Sequence, residues 1–205
     1  MAVLHHETKY TQELNITSIT PLLYVIDMVN GFCKEGAMAD PKILDIVPSI
    51  AKLCEHLPED RRFFIADHHE EGDEEFQSFP PHCLAWTAES EVIEELQSYN
   101  KSRLIEKNST NAFHALSELD FQTLAGRDTD AIILTGCCTD ICVLQFALSL
   151  KTYLNAHAIH KRVIVPVDCV ETYDMDQLHP AADYNEMALA LMANAGIEVV
   201  KTIHY

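Results

Sequence analysis

The chain has few basic residues for its many acidic ones. Among 205 residues, Lys and Arg number 14 whereas Asp and Glu number 32, so the formal net charge is −18. The phosphates of nucleic acids and the headgroups of anionic membranes repel a protein of this charge. We therefore expect neither nucleic acid nor a membrane among its partners.

Long apolar runs, an export signal and paired cysteines are also missing. No run reaches the roughly 18 apolar residues that a membrane span needs, and residues 1–20 contain no apolar signal-peptide core. The seven cysteines are an odd number, and no two have C-x-x-C spacing. We expect free thiols in a reducing compartment and predict a cytoplasmic location.

The composition is otherwise that of a folded globular protein. Apolar residues make up 48% of the chain and charged residues 22%, which excludes disorder and provides a sizeable core. The length fits one domain. We predict an N-terminal extension over residues 1–20 and a single domain over residues 21–205.

Short apolar strands alternate with helical segments along this domain. Six strands are predicted, at residues 21–26, 63–66, 103–106, 131–135, 163–167 and 197–200. Helices are predicted at residues 41–57, 89–96, 139–154 and 181–193. This alternation is typical of a three-layer α/β/α fold of the Rossmann-like kind, with a six-stranded, mainly parallel sheet and helices on both faces.

Polar residues follow most of these strands. They are Asp27, Asp67, Lys107, the Cys137–Cys138 pair and Asp168. Ligands of open parallel sheets bind outside the carboxyl ends of the strands. Any one of these residues, taken alone, is better explained as a polar group at a solvent-facing strand end. Together they predict a site at this edge of the sheet.

Cys142 is the candidate nucleophile. The pattern predicts Thr139 as the N-cap of a helix, which places Cys142 in the first turn. Free N–H groups and the helix dipole there favour a thiolate and lower a thiol pKa. Asp27 and Lys107 would supply a base and a charge partner. The alternatives are that Cys142 is a small buried hydrophobic residue and that Asp27 and Lys107 form a structural salt bridge.

The loop after Asp67 has the residues of a metal site. Asp67 and His69 point to one side of an extended chain and His68 to the other. His82 lies at the far end of the loop, and Glu75 adds a fourth candidate ligand. Aspartate with two histidines suits Zn²⁺, Fe²⁺ or Mn²⁺. The alternative is a solvated acidic loop with surface histidines.

Four segments resemble motifs of the nicotinamidase (pyrazinamidase) branch of the isochorismatase-like cysteine hydrolases. They are residues 26–32 (IDMVNGF), residues 67–69 (DHH) with 79–83 (FPPHC), residues 106–107 (EK) with 111–113 (NAF), and residues 136–143 (GCCTDICV). They occur in the family's order, and the resemblance extends over about residues 22–200. It implies an isochorismatase-like fold.

The resemblance also implies a catalytic triad. Cys142 would be the nucleophile, Asp27 the base and Lys107 the third member. The peptide between Cys137 and Cys138 occupies the position of a cis bond in the family. The N–H groups of Cys138 and Cys142 would then stabilise an oxyanion.

The resemblance further implies a ligand set and a substrate site. Asp67, His69 and His82 would bind one divalent ion, Zn, Fe or Mn, with Glu75 as a fourth ligand in some members. The substrate-binding candidates are aromatic: Phe32, Phe79 and Trp86. Trp86 would either reshape the pocket mouth or pack under the loop. Trp86 and Gly31 depart from the family pattern.

The implied activity is that of a metal-dependent amidase. It would hydrolyse nicotinamide to nicotinate and ammonia through a cysteine thioester, with pyrazinamide as a further substrate. A metal-free amidase for ureido or carbamoyl compounds is the alternative, and an isochorismatase proper would lack the cysteine nucleophile. Family members are often oligomers, so a homo-oligomer is expected.

Two other classes of protein remain open. One is a redox or zinc-storage protein that uses Cys137, Cys138, Cys142 and Cys169, against which the missing C-x-x-C spacing argues. The other is an inactive scaffold of the same fold, which would be free to lose members of the triad.

Overall fold

The computed structural model describes residues 9–101 and 103–205. The main sheet has six parallel strands, which are β2 (Pro21–Ile26), β3 (Arg62–Asp67), β4 (Arg103–Lys107), β5 (Ala131–Gly136), β6 (Arg162–Pro166) and β7 (Glu198–Val200). Their order across the sheet is β4-β3-β2-β5-β6-β7. The predicted six-stranded parallel sheet is therefore confirmed.

Helices cover both faces of this sheet. They are α1 (Asn30–Cys33), α2 (Val47–His56), α3 (Glu94–Gln97), α4 (Glu118–Ala125), α5 (Leu144–Ala156) and α6 (Ala181–Asn194). Leu23 and Val25 of β2 share a core with α2 and α3, whereas Leu22 and Tyr24 share the opposite core with α4, α5 and α6. Because successive side chains of a strand face opposite ways, a wholly apolar strand fills both cores. The three-layer prediction is confirmed.

A second, two-stranded parallel sheet was not predicted. It pairs β1 (Glu13–Asn15) with β8 (Thr202–His204). Strands of three residues leave too few positions for alternation to be recognised in a sequence. The first strand falls within the stretch that was predicted as an N-terminal extension.

The helix predicted at residues 89–96 is wrong over most of its length. Val92 forms an antiparallel bridge with Val29, and the Ile93 N–H donates to Met28 O at 3.0 Å. Only α3 is α-helical in this segment, after a short 3₁₀ turn at Ala88–Ser90. Pairing with the backbone that leaves β2 outweighs the local helical pattern, which at this length is a weak signal.

The helix predicted from Thr139 begins there with a π-helical turn instead of an α-helical one. Thr139–Val143 forms a π-helical turn, and α5 follows it. Cys138 occupies the cap position, and the buried Thr139 hydroxyl has no hydrogen-bond partner among the described residues. The prediction of a Thr139 side-chain cap is therefore wrong. π-helical turns often occur at functional sites.

Two further differences concern helices. The segment predicted as one helix at residues 41–57 is a 3₁₀ helix at Pro41–Ile46 followed by α2. α4 was not predicted, although Ser117 and Asp120 form a capping box at its start. Within the described residues, no helix combines the length and the apolarity that crossing a membrane requires.

Candidate active site

The ends of three neighbouring strands bring together the first charged residues of the site. Asp67 and Lys107 end β3 and β4 and are directly paired in register. Asp27 follows β2 and adopts a left-handed conformation, with φ of 52°. Its N–H donates to Ile65 O at 2.9 Å. Parallel strands in this order therefore place two carboxylates and an ammonium at one edge of the sheet, as predicted.

Gly136 lets the segment that leads to Cys142 leave the sheet beside Asp27. Its φ is +107°, and a Cβ at this position would lie 1.9 Å from Ile26 O. A side chain would therefore force β5 away from β2. Glycine is needed here both for the backbone conformation and for the close approach.

Lys107 lies at the centre of a buried cluster that also contains Asp27, Asp67 and Cys142. Its Nζ lies 2.9 Å from Asp27 Oδ2 and 3.8 Å from Cys142 Sγ, and it donates a hydrogen bond to Asp67 Oδ1. All four residues are buried. An ion that is removed from water must be paired, and the two carboxylates that face Lys107 meet this requirement.

The buried charges shift one another's pKa values. Burial raises the pKa of Asp27 to about 7, with Lys107 opposing the shift and Asp67 adding to it. Burial alone would also raise the pKa of Asp67, but the charge of Lys107 and the two nearby histidines, His69 and His82, outweigh it and lower that pKa. Asp67 therefore stays ionised, and Asp27 exchanges a proton near neutral pH.

The Cys142 thiol is protonated in this resting arrangement. Burial raises its pKa well above the ordinary value, although Lys107 opposes the shift. The expectation of a lowered pKa is therefore wrong, because desolvation outweighs the attraction of the nearby cation. The thiol needs a base to react, and the donor atoms of Cys142, Asp27 and Asp67 all lie within 4.8 Å of one another.

The segment before the nucleophile has the backbone geometry that the resemblance implies. The peptide bond between Cys137 and Cys138 is cis. The Cys137 thiol donates to Asp27 O at 3.1 Å, and Cys138 O accepts hydrogen bonds from the N–H groups of Ile141 and Val143. These contacts connect Asp27, the cis peptide and the turn that carries Cys142.

Asp67, His69, Glu75 and His82 form a second cluster beside the first. His69 Nε2 lies 3.6 Å from Asp67 and 3.7 Å from Glu75, and His82 Nε2 lies 3.5 Å and 3.8 Å from the same two carboxylates. Ligands about 2.1 Å from one tetrahedral ion are separated by about 3.4 Å. The donor atoms are thus spaced as ligands of a single ion.

Hydrogen bonds orient both histidines toward the middle of this cluster. His69 Nδ1 lies 3.0 Å from Asp73 Oδ2, and His82 Nδ1 donates to Pro80 O at 2.8 Å. His69 Nε2 is buried and has no hydrogen-bond partner among the described residues. A buried, unpartnered nitrogen that faces two carboxylates fits a metal ligand whose second nitrogen is held by an outer group.

Glu75 is held in the same way. The Thr110 N–H donates to Glu75 Oε2 at 2.7 Å, which leaves Oε1 facing the histidines. Two nitrogens and two carboxylates suit the divalent ions Zn²⁺, Fe²⁺ and Mn²⁺. Sequence reasoning missed Asp73 and Thr110, because nothing in the pattern of the loop marks them as partners of a ligand.

A narrow cavity connects the two clusters. Its lining is apolar and aromatic between the polar groups, and consists of Phe32, Met38, Asp67, Glu75, Phe79, His82, Thr110, Cys138, Ile141 and Cys142. The ring of Phe32 lies 5.4 Å from that of His82, and the ring of Phe79 lies 6.4 Å from it. The two phenylalanines predicted to contact substrate therefore line the cavity. Met38, Thr110 and Ile141 were not predicted.

Two predicted residues lie away from this cavity. Trp86 is 88% exposed, and its ring contacts that of His68 at 5.2 Å. It does not line this cavity. Asp168 instead accepts hydrogen bonds from Ser49 and Thr202, because β6 lies two strands away from β2.

His68 and Gly31 each lie beside a predicted site residue in the sequence. His68 lies 3.8 Å from Glu106, on the opposite side of the chain from its neighbour His69, as predicted. A Cβ on Gly31 would lie 2.5 Å from Cys83 Sγ. Cys83, next to the predicted ligand His82, therefore occupies the space that any other residue at position 31 would need.

Comparison with known proteins identifies the family. The model of the isochorismatase domain family matches residues 21–203. Nicotinamidase 1 of Arabidopsis thaliana is 29% identical, in an alignment that covers 89% of this chain and 86% of that protein.

Solved structures share the fold. N-carbamoylsarcosine amidase of Thermoplasma acidophilum is 25% identical, with a TM-score of 0.68 over 88% of this chain and 95% of that one. A pyrazinamidase/nicotinamidase of Streptococcus mutans is 23% identical, with a TM-score of 0.71 over 88% and 100%. The chain belongs to the isochorismatase family and is a hydrolase that acts on an amide carbon–nitrogen bond.

Proposed function

We propose that this protein is a metal-dependent amidase that hydrolyses nicotinamide to nicotinate and ammonia, and that also accepts pyrazinamide. One observation carries the proposal. A single cavity is lined by the buried Cys142 thiol and by Asp67, Glu75 and His82 of the candidate metal cluster, and Lys107 Nζ lies 3.8 Å from that thiol. The similarity to Arabidopsis Nicotinamidase 1 supports the same substrate.

Asp67, His69, Glu75 and His82 would hold one divalent ion. When bound, such an ion supplies a Lewis acid that can receive a ring nitrogen of the substrate. The rings of Phe32 and Phe79, which lie near that of His82, would then flank a flat heteroaromatic ring. This arrangement would favour aromatic amides over aliphatic ones.

The reaction begins with the transfer of the thiol proton. Asp27 takes the proton from Cys142 as the sulfur attacks the amide carbon, which gives a tetrahedral oxyanion. The N–H groups of Cys138 and Cys142 would stabilise the oxyanion, since donors held in place act most strongly where charge develops. Asp27 then protonates the leaving nitrogen, ammonia departs, and a thioester remains on Cys142.

Hydrolysis of the thioester completes the cycle. Asp27 removes a proton from a water molecule, the hydroxide attacks the thioester carbon, and the carboxylate product leaves as the thiol is restored. Lys107 stays protonated throughout, because Asp27 and Asp67 outweigh burial and raise its pKa well above the ordinary value. Its role is to hold both carboxylates beside the thiol.

Ammonia release from nicotinamide tests the proposal. The protein would be loaded with Zn²⁺, Mn²⁺ or Fe²⁺ in turn, and pyrazinamide and N-carbamoylsarcosine would be assayed in parallel. His82→Ala should lose bound metal and most of its turnover, whereas His68→Ala should keep both, since His68 lies on the other side of the chain. No turnover of either aromatic amide by folded, metal-loaded protein would refute the proposal.

Three other properties stay predictions. They are a cytoplasmic location, self-association, and a boundary between an extension at residues 1–20 and a domain at residues 21–205.

A further inference from the structure

Asp140 forms hydrogen bonds between the turn that carries Cys142 and the loop between β6 and α6. The Thr172 hydroxyl donates to Asp140 Oδ1 at 2.5 Å, and His179 Nε2 lies 2.9 Å from Asp140 Oδ2. Both of these partners lie between β6 and α6. Asp140 is two residues before the proposed nucleophile, and Ile141 between them lines the cavity. The carboxylate therefore connects this loop to the turn that carries Cys142.

His179 is held on every side. It is 6% exposed, and its ring is stacked between those of Tyr173 at 3.9 Å and Tyr184 at 3.7 Å. Its Nδ1 lies 2.9 Å from Tyr173 O, so both ring nitrogens face an acceptor. Together these contacts fix both the plane of the imidazole ring and its rotation within that plane.

We propose that His179 is a positioning residue for the nucleophile. Its bond to Asp140 fixes the π-helical turn, and the turn in turn places Cys142 Sγ 3.8 Å from Lys107 Nζ. His179 does not line the substrate cavity. It therefore affects the reactivity of the thiol, and leaves the binding of metal and substrate unchanged. This inference rests on the proposed role of Cys142.

Two substitutions separate positioning from packing. His179→Gln keeps a donor at the place of Nε2 but removes the aromatic ring. His179→Phe keeps a ring between the two tyrosines but removes both donors. Positioning through Asp140 predicts that the Gln variant is the more active of the two, whereas a packing role predicts that the Phe variant is.

A matched control is available at His157. Its Nδ1 donates to Tyr153 O at 2.9 Å, and its ring packs on that of Tyr153 at 4.1 Å. It therefore shares two of the contacts of His179, but it lies just beyond the end of α5, away from the cavity. His157→Phe should leave kcat and the reactivity of Cys142 unchanged.

The experiment measures two quantities in each variant. One is kcat and KM for nicotinamide, and the other is the rate at which iodoacetamide alkylates Cys142, followed by peptide mass spectrometry. Alkylation needs no substrate, so it tests the inference even if nicotinamide is not turned over. Metal content and thermal unfolding confirm that each variant is folded and loaded.

We expect His179→Phe to lower kcat and the alkylation rate about tenfold. This factor corresponds to about 1.4 kcal/mol, which is of the order of one hydrogen bond. KM should stay within about twofold, and His179→Gln should recover most of both rates. The inference is overturned if the Phe variant matches the wild type, if it exceeds the Gln variant, or if its loss lies in KM alone.

Discussion

The two halves of the site are built in different ways. The proposed catalytic half consists of Asp27, Lys107 and Cys142, which lie at or beyond the ends of three different strands of the sheet. The metal half has only Asp67 in the sheet, and its other members come from the loop that follows. Asp67 and Lys107 share a hydrogen bond and so join the two halves.

The difference lies in what holds each half in place. Charge organises the catalytic half, since one buried ammonium faces two carboxylates and a thiol. Outer hydrogen bonds organise the metal half, since Asp73 orients His69 and Thr110 orients Glu75. Removing a single buried charge should therefore disrupt the first half, whereas the second should weaken step by step as its supporting groups are lost.

Removal of the nucleophile should have the largest effect on turnover. Cys142→Ala should lower kcat for an amide substrate by about 10³-fold or more, because no thioester can form. Its metal content should not change, because Cys142 is not among the four ligand side chains. Ammonia release and metal analysis check both statements.

Cys169→Ala is the control for this change. Cys169 is also a buried thiol, but it lies at the end of a short 3₁₀ helix outside the cavity. This variant should keep its turnover. Substantial activity in Cys142→Ala would contradict the account of the catalytic half.

Removal of the central cation should destabilise the fold as well as abolish activity. Lys107→Met leaves two buried carboxylates without their partner, which should cost about 3–5 kcal/mol of the free energy of unfolding. Urea unfolding measures this cost. Lys34→Met is the control, since Lys34 forms a partly exposed pair with Glu95 at 2.8 Å and such pairs contribute about 0–1 kcal/mol. Equal losses in the two variants would argue against a charge-organised centre.

The metal half should respond in smaller steps. Asp73→Asn should weaken metal binding by about 10–100-fold, because the carboxylate that orients His69 becomes a weaker acceptor. Competition with a chelator measures the affinity. Turnover at saturating metal should recover, whereas Cys142→Ala should stay inactive under the same conditions. Unchanged affinity would mean that Asp73 does not support the ligand.

The smallest effect should come from pH. Asp27 acts as a base only when ionised, and burial raises its pKa to about 7. The value of kcat/KM should therefore rise with pH through this region, and should fall about tenfold for each unit below it. Steady-state rates from about pH 5.5 to about pH 8 check this. A kcat/KM that does not change with pH would mean that a group other than Asp27 accepts the proton.

The catalytic half could be predicted from the sequence because topology alone places it. Asp27 and Lys107 each directly follow or end an apolar run, and the order of parallel strands brings such ends together. The direction of the Cys142 pKa could not be predicted in this way. It depends on burial, which a motif does not contain, and on a π-helical turn where the pattern indicated an α-helix.

The metal half was only partly accessible from the sequence. Alternation along an extended chain predicted that Asp67 and His69 point to one side. The contacts of Asp73 with His69 and of Thr110 with Glu75 depend on how the chain folds, and no pattern in the sequence marks them. Trp86 was expected either to reshape the pocket mouth or to pack under the loop, and its ring faces solvent beside His68. A left-handed φ of 64° at Trp86 turns the chain there, and spacing does not predict such turns.

One measurement tests the central claim most directly, namely that both halves act on one substrate through Cys142. Metal-loaded protein would be mixed with nicotinamide, quenched in acid during turnover and analysed by peptide mass spectrometry. The account predicts a nicotinoyl adduct on Cys142 that forms more slowly once a chelator has removed the metal. Turnover with no adduct on Cys142, or an adduct that forms at the same rate with and without the metal, would contradict it.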